Sequence, residues 1–261
     1  MPYVGVSGVS AAGEARNVVS LMRRSGFTMQ AGHIPMMGLQ VSWKSLDFGL
    51  SKGNNRVPRL GDLPLILEAV KGEVFPTIHY YTKRQEKVVT EIEKVIEYNS
   101  IYDSGLVGGL QINGVFPKPD SLEELKKAYP SLKLTLQTRI YRNEIETLAE
   151  ELAAYHGIID YALLDSSGGR GREFDSKQMI EAYRILKDKG LEAGIVFAGG
   201  ITGENVVHKI KTLVKETGEK GFSIDAEGGL RDRLGDGYGN DRLNLDKVSA
   251  YLKGASEALF G

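Results

Sequence analysis

Apolar and polar positions along the chain fall into a repeating alternation. Short runs rich in β-branched and aromatic residues occupy residues 3–7, 28–32, 74–79, 109–112, 133–138, 161–164, 194–198 and 221–225. Several are apolar almost throughout, the pattern of parallel strands covered on both faces. Between them lie amphipathic stretches with readable helix starts. Asp120 and Ser121 precede Leu122, Glu123 and Glu124 like a capping box, Ser176 stands before a run containing Ile180 and Ala182, Thr202 precedes residues 204–209, and Asn244 precedes the last stretch, through Val248 and Leu252. Regular strand–helix alternation predicts a parallel sheet with crossover helices. Eight such units in 261 residues favour one closed (β/α)8 TIM barrel, a single domain over residues 1–261, with an open doubly wound sheet as the alternative.

Two stretches, 36–59 and 230–243, carry no clear element. In a barrel they follow the second and eighth strands, on the C-terminal face where binding and chemistry gather, and they read as candidate lids. Lys and Arg number 33 against 34 Asp and Glu, a net charge of −1, so nothing global attracts nucleic acid or an anionic membrane. No apolar run is long enough to span a bilayer. The opening MPYVGVSGVS lacks the basic-then-apolar order of a signal peptide, and the expectation is a cytoplasmic monomer or homodimer. Cysteine is absent, which excludes disulfides, thiolate metal sites and a cysteine nucleophile.

The chemistry concentrates in the last third. IVFAGGITGENV at 195–206 is a buried strand, two glycines and a helix start, and FSIDAEGGL at 222–230 repeats the strand and the glycine pair. Without a Cβ in the way, backbone N–H groups can close on an anion, so Gly199, Gly200, Gly228 and Gly229 are candidate phosphate-binding residues. Tight turns are the competing reading for each pair alone. In LLDSSGGRGREFD at 163–175, Asp165 ends the sixth strand and aims its carboxylate into the barrel mouth, where it can act as a general acid or base or accept from loop N–H groups. Gly168, Gly169 and Gly171 then form a loop able to close over a ligand. His33, after the second strand, and His79, ending the third, titrate near neutral pH and are candidate proton carriers, a structural role being the alternative. Gln111, Asn113 and Arg139 are placed to orient a substrate. His156 and His208 lie on helices and read as surface residues.

No metal-ligand spacing is present, no lysine stands at a strand end for Schiff-base chemistry, and no glycine fingerprint follows the first strand as a dinucleotide would need. Neither metal nor cofactor is therefore expected, and the expected partner is a small phosphorylated metabolite.

The motifs together resemble the phosphoribosylanthranilate isomerase family. Its sixth-strand pattern, L-L-D, a spacer, then G-G-x-G-x-x-F-D, matches Leu163, Leu164 and Asp165 followed by Gly168, Gly169, Gly171, Phe174 and Asp175. Its seventh-strand pattern, A-G-G-[LI]-x-x-E-N-V, matches Ala198 to Val206. Weaker matches fall on the fourth strand, Gln111, Ile112, Asn113 and Gly114, and on the first, where K-I-C-G-[IL]-[TR] stands against Gly5, Val6, Ser7, Gly8, Val9 and Ser10. The resemblance implies a barrel that opens a phosphorylated aminosugar by an Amadori rearrangement, with Asp165 as general acid on the ring oxygen. It implies that the general base sits at position 7, and that Arg56 contacts the anthranilate.

The departures lie at the same face. Ser7 replaces the family's cysteine, and a hydroxyl is no useful base without a helper. The eighth strand ends in Asp225, Ala226, Glu227, Gly228 and Gly229 where the family has a Ser-Ser-Gly turn, so a carboxylate stands near the expected phosphate. The loop at 231–242 is longer than the family's, and the stretch 36–52, with Trp43, has no family counterpart. A related enzyme acting on a different phosphorylated ligand is the expectation. A barrel that binds such a metabolite without catalysis, or a phosphosugar lyase or epimerase, is the alternative.

Overall fold

A computed structural model describes residues 1–49, 53–138, 145–165 and 175–261, and the backbone of Arg139. Eight parallel strands close into a barrel in sequence order: β1 (Tyr3–Ser7), β2 (Ile34–Ser42), β3 (Phe75–Tyr81), β4 (Gly109–Asn113), β5 (Lys133–Arg139), β6 (Tyr161–Asp165), β7 (Gly194–Ala198) and β8 (Ser223–Ala226). β1 pairs with β2 on one side and β8 on the other, which seals the ring. The helices are α1 (Ala12–Arg24), α2 (Trp43–Phe48), α3 (Leu63–Glu68), α4 (Val88–Ile96), α5 (Pro119–Ala128), α6 (Ile145–Ala153), α7 (Ser176–Asp188) and α8 (Val206–Thr217), and β9 (Arg231–Arg233) and β10 (Asp241–Leu243) form a hairpin before α9 (Leu245–Phe260). Among the described residues, no helix is long and apolar enough to cross a membrane.

The period-two alternation of each strand builds two separate apolar regions. Val4 and Val6 of β1 face the helices and join the larger core, while Tyr3 joins a lumen cluster with Ile34, Met36, Tyr161, Leu163, Val196 and Ala198. Each buried Val, Ile, Leu or Met among them contributes roughly 1.5–3 kcal/mol against exposure. Gly5 faces the same lumen. A Cβ there would lie 2.6 Å from both Asp225 Oδ1 and Met36 Cε, so glycine is required by its neighbours. Outside, α1 buries Ala15, Val18, Val19 and Met22 at helical spacing. α9 closes the helical ring against α8 and α1, and its Tyr251 hydroxyl donates to the Gly5 carbonyl at 3.1 Å.

The expected second strand moves. Residues 28–32 form a turn, with Ala31 N–H donating to the Thr28 carbonyl and Gln30 N–H to the Thr28 hydroxyl. The strand is the nine-residue β2, whose Pro35 and Gly38 hide it in a period reading. It passes directly into α2 through a capping box between Ser42 and Ser45. The stretch at 230–243 is likewise ordered, as the β9–β10 hairpin. Helix starts shift by a residue or two: α7 is capped by Asp175, with Ser176 its first residue, and α5 begins at Pro119, where a missing N–H costs nothing. Asn244 caps α9 as expected, accepting from the N–H groups of Asp246 and Lys247.

Candidate active site

A cavity of about 500 Å³ opens at the C-terminal ends of the strands. Gln40, His79, Gln111, Gln137, Asp165 and Asp225 line it from β2, β3, β4, β5, β6 and β8, and the glycine pairs 199–200 and 228–229 form another wall. Trp43, Tyr81 and Tyr238 supply aromatic surface at the rim. The lumen thus turns from apolar at the N-terminal end to polar at the mouth, because strand-end positions face the cavity while earlier positions of the same strands face each other.

Ser7 is fully buried, and its hydroxyl donates to both oxygens of Asp225, at 2.7 and 2.9 Å. Asp225 is only 6% exposed. Burial pushes its carboxyl up to about 7, the nearby carboxylates of Glu227 and Asp165 add to the rise, and the Ser7 hydrogen bond opposes it. Asp165 accepts from Gln137 Nε2 at 3.0 Å, and Gln137 Oε1 accepts from Gln111 Nε2 at 2.9 Å. This directional chain fixes the orientation of both amides.

His79 is buried, and desolvation pushes its imidazole down to about 3, so it is neutral at physiological pH. Among the described residues, His79 Nε2, Gln111 Oε1 and Thr77 Oγ1 are the buried side-chain polar atoms without a hydrogen-bond partner. Leaving a buried polar group unpaired costs roughly 1–3 kcal/mol. His79 and Ser7 also converge on Gly38. A Cβ there would meet Ser7 Oγ at 2.4 Å and His79 Nε2 at 2.8 Å, so the glycine makes room for both.

The first loop of the glycine wall uses a backbone conformation that favours glycine. Gly199 and Gly200 lie in the left-handed region, with φ of +89° and +69°. Asn205 bridges the turn: its Nδ2 donates to the Gly200 carbonyl at 2.8 Å and its Oδ1 accepts from Thr202 N–H at 2.9 Å. Thr202 accepts from Glu204 N–H, as its position before the helix suggested. The second loop packs on the first, for a Cβ on Gly229 would lie 2.2 Å from the Ile201 carbonyl oxygen.

Two expectations are corrected. His33 precedes β2 rather than following a strand, so it lies at the N-terminal end of the barrel, bonded through Nε2 to the Phe222 carbonyl at 3.1 Å and set edge-on to Phe260. It is not part of the cavity wall. Arg56 is buried beside the cavity and is not among its lining residues. Its Nε and Nη2 donate to Asp241, its Nη1 donates to Glu227 at 2.5 Å, and its guanidinium stacks 4.4 Å from the centre of the Tyr238 ring. Arg231 shares Asp241 at 2.5 Å and donates to the Gly8 carbonyl. Arg56 therefore ties the β9–β10 hairpin to the segment before α3, and Glu227 is turned onto Arg56 and neutralised there.

Asp165, Ser7, His79, Gln111, Asn113 and the four glycines do meet at the barrel mouth. The Arg139 side chain and the loop glycines Gly168, Gly169 and Gly171 lie outside the described residues. Among the described residues, no group of His, Asp and Glu is placed to hold a metal ion. Asp225, Gln137, Trp43 and Tyr238 are site residues that sequence reading did not single out. Asp225 had a signal, since it ends the eighth apolar run as Asp165 ends the sixth; Trp43 and Tyr238 lie in the two stretches expected on the active face, and Gln137 had none.

No family model matches the chain. An N-(5'-phosphoribosyl)anthranilate isomerase from Petrotoga mobilis is 26% identical over 196 residues, 73% of this chain and 84% of that protein. Among solved structures, the enzyme of the same name from Pyrococcus furiosus superposes with a TM-score of 0.63 at 18% identity, covering 98% of this chain and 100% of that one. The Thermotoga maritima enzyme gives 0.65 at 16% identity, with the same coverage. A Rubisco-like protein from Rhodopseudomonas palustris gives 0.57 at 11% identity, over 98% of this chain and 63% of that one. At these identities the structural matches bear on the fold.

Proposed function

Because the chain is a divergent relative of the phosphoribosylanthranilate isomerase family, we propose that it is a phosphosugar isomerase of the aldose–ketose, Amadori type, acting on an aminosugar phosphate other than phosphoribosylanthranilate. The observation that carries this reading is the placement of the Asp165 carboxylate and the two glycine loops on the walls of one cavity. Backbone N–H groups of 199–200 and 228–229 hold the phosphate, aided by their fixed dipoles. Asp165 gives its proton to the ring oxygen, the C1–O bond breaks, and the nitrogen lone pair forms an iminium at C1. A base then removes the proton on C2, and the resulting enaminol becomes the ketose. Gln111 and Asn113 orient the open chain, and Arg139 is a proposed contact to it.

Two features support a changed substrate. Arg56, the arginine expected to meet an aromatic carboxylate, is neutralised by Asp241 and Glu227. Trp43 and Tyr238 reshape the rim. The test is binding followed by turnover. Trp43 is the chain's single tryptophan and lines the cavity, so its fluorescence reports occupancy. Ribose 5-phosphate is expected to change the emission where ribose does not, and the N-glycosides of ribose 5-phosphate with small amines are expected to isomerise. Failure of every phosphate compound to bind would remove the phosphate site. Binding without turnover of any adduct would favour a barrel that only binds such metabolites.

A further inference from the structure

The proposed reaction needs a base opposite Asp165, and the family's thiol is a hydroxyl here. His33 is at the far end of the barrel. His79 lines the cavity, but an imidazole held neutral down to about pH 3 has little affinity for a proton. A serine hydroxyl alone is weaker still as a proton acceptor. Beside Ser7, however, stands a carboxylate on the cavity wall that receives the Ser7 hydroxyl proton on both oxygens.

We infer that Asp225 is the proton acceptor of this site and that Ser7 is its positioning residue. The inference rests on the isomerase reading above. In the step, the C2–H bond of the ring-opened iminium breaks and the proton passes to a carboxylate oxygen of Asp225. The C–H electron pair forms the C1=C2 bond, and the C1=N pair returns to nitrogen, so charge balances without an oxidant or reductant. Ser7 does not take the proton. It holds the carboxylate in one rotamer, with its lone pairs toward the cavity, and stabilises the ionised form.

The surroundings of Asp225 suit the task. β1 presents Ser7 and Tyr3, α9 presents Tyr251, β6 presents Asp165, and Glu227 follows on β8. The phenols of Tyr3 and Tyr251 are held neutral far above physiological pH by burial. Glu227 has its charge balanced by Arg56. Asp165 and Asp225 stand level with one another across Ala198, on the strands either side of β7, so both carboxylates line the same cavity. The space for Asp225 is built in by Gly5, whose Cβ would strike its Oδ1.

The test uses the full chain and two probes, the N-glycosides that ribose 5-phosphate forms with aniline and with methylamine. Loss of the C2 proton in D2O is followed by NMR, and Trp43 fluorescence with inorganic phosphate checks that each variant is folded and its anion site intact. Wild type is expected to remove the C2 proton, with a rate that rises with pH through about 7. Asp225→Asn is expected to lose it by 100-fold or more, the usual range for removing a general base, with phosphate binding unchanged. Ser7→Ala is expected to remain active but with its acid limb moved to higher pH, so that its deficit is several-fold larger at pH 6 than at pH 8. Rescue of Asp225→Asn is not expected from Ser7→Cys unless the thiol takes over, which would itself show that position 225 is the dispensable partner and overturn the assignment. An Asp225→Asn variant with wild-type C2 loss also overturns the assignment while leaving the isomerase reading intact. Wild type that binds both probes yet leaves C2–H in place overturns the isomerase reading, and this inference with it.

Discussion

Ser7 and Asp225, 218 positions apart in sequence, share one hydrogen with two acceptors across the seam where β1 meets β8. The seam exists only because the barrel closes. A buried carboxylate there is costly when ionised, and one hydroxyl offsets part of that cost, which leaves the group titrating near neutrality.

That titration predicts a specific pH dependence of stability. Asp225 has a folded pKa of about 7 against an ordinary value of 3.8, so between pH 4 and 7 the native state holds a proton that the unfolded state has lost, and this group stabilises as pH falls. His79 has a folded pKa of about 3 against 6.5, so over much of the same window the unfolded state holds the extra proton, and this group destabilises as pH falls. The two oppose each other. Asp225→Asn removes one side, and denaturant titrations should show that variant more stable than wild type at pH 8, by an amount on the order of a few kcal/mol, and losing stability more steeply toward pH 5. A variant with the wild-type slope would mean that Asp225 titrates in the ordinary carboxyl range.

Asp165→Asn keeps the acceptor oxygen that Gln137 uses but cannot give a proton. Turnover of the aniline adduct should fall by about 100-fold or more, while the dissociation constant for ribose 5-phosphate, read from Trp43 fluorescence, stays within a few-fold. Full turnover would remove Asp165 from the chemistry.

Gly200→Ala places a Cβ on a residue at φ +69°. The left-handed conformation costs an L-residue about 1 kcal/mol or more, and the turn that presents the N–H groups should distort. Isothermal titration should show weaker binding of inorganic phosphate with only a small fall in melting temperature. Loss of fold without a specific loss of binding would make the glycine purely structural.

Arg56→Met breaks a buried pair and leaves Asp241 with Arg231 alone, and Glu227 without its cation. Removing one partner of a buried ion pair costs about 3–5 kcal/mol. The expected result is a lower melting temperature together with faster amide exchange in the β9–β10 hairpin, since Arg56 supplies two of the side-chain bonds that hold it to the segment before α3. Unchanged exchange in the hairpin would show that Arg56 is not its anchor.

The sequence by itself determined the barrel. Eight apolar runs of strand length, separated by helical periods, admit few other arrangements, and seven of the eight strands lie where that pattern puts them. It also placed the two glycine pairs on the cavity wall, because they directly follow the seventh and eighth strands, and it placed Asp165 because a strand end fixes its direction. What only the tertiary structure decided depends on which residues the closed ring brings side by side. Ser7 and Asp225 meet through the β1–β8 register, Gln111, Gln137 and Asp165 through three successive strands, and Arg56, Glu227 and Asp241 through two loops folding over one another. β2 escaped a period reading because its Gly38 yields space to side chains of its two neighbours, Ser7 and His79, a reason that exists only once the three strands are paired.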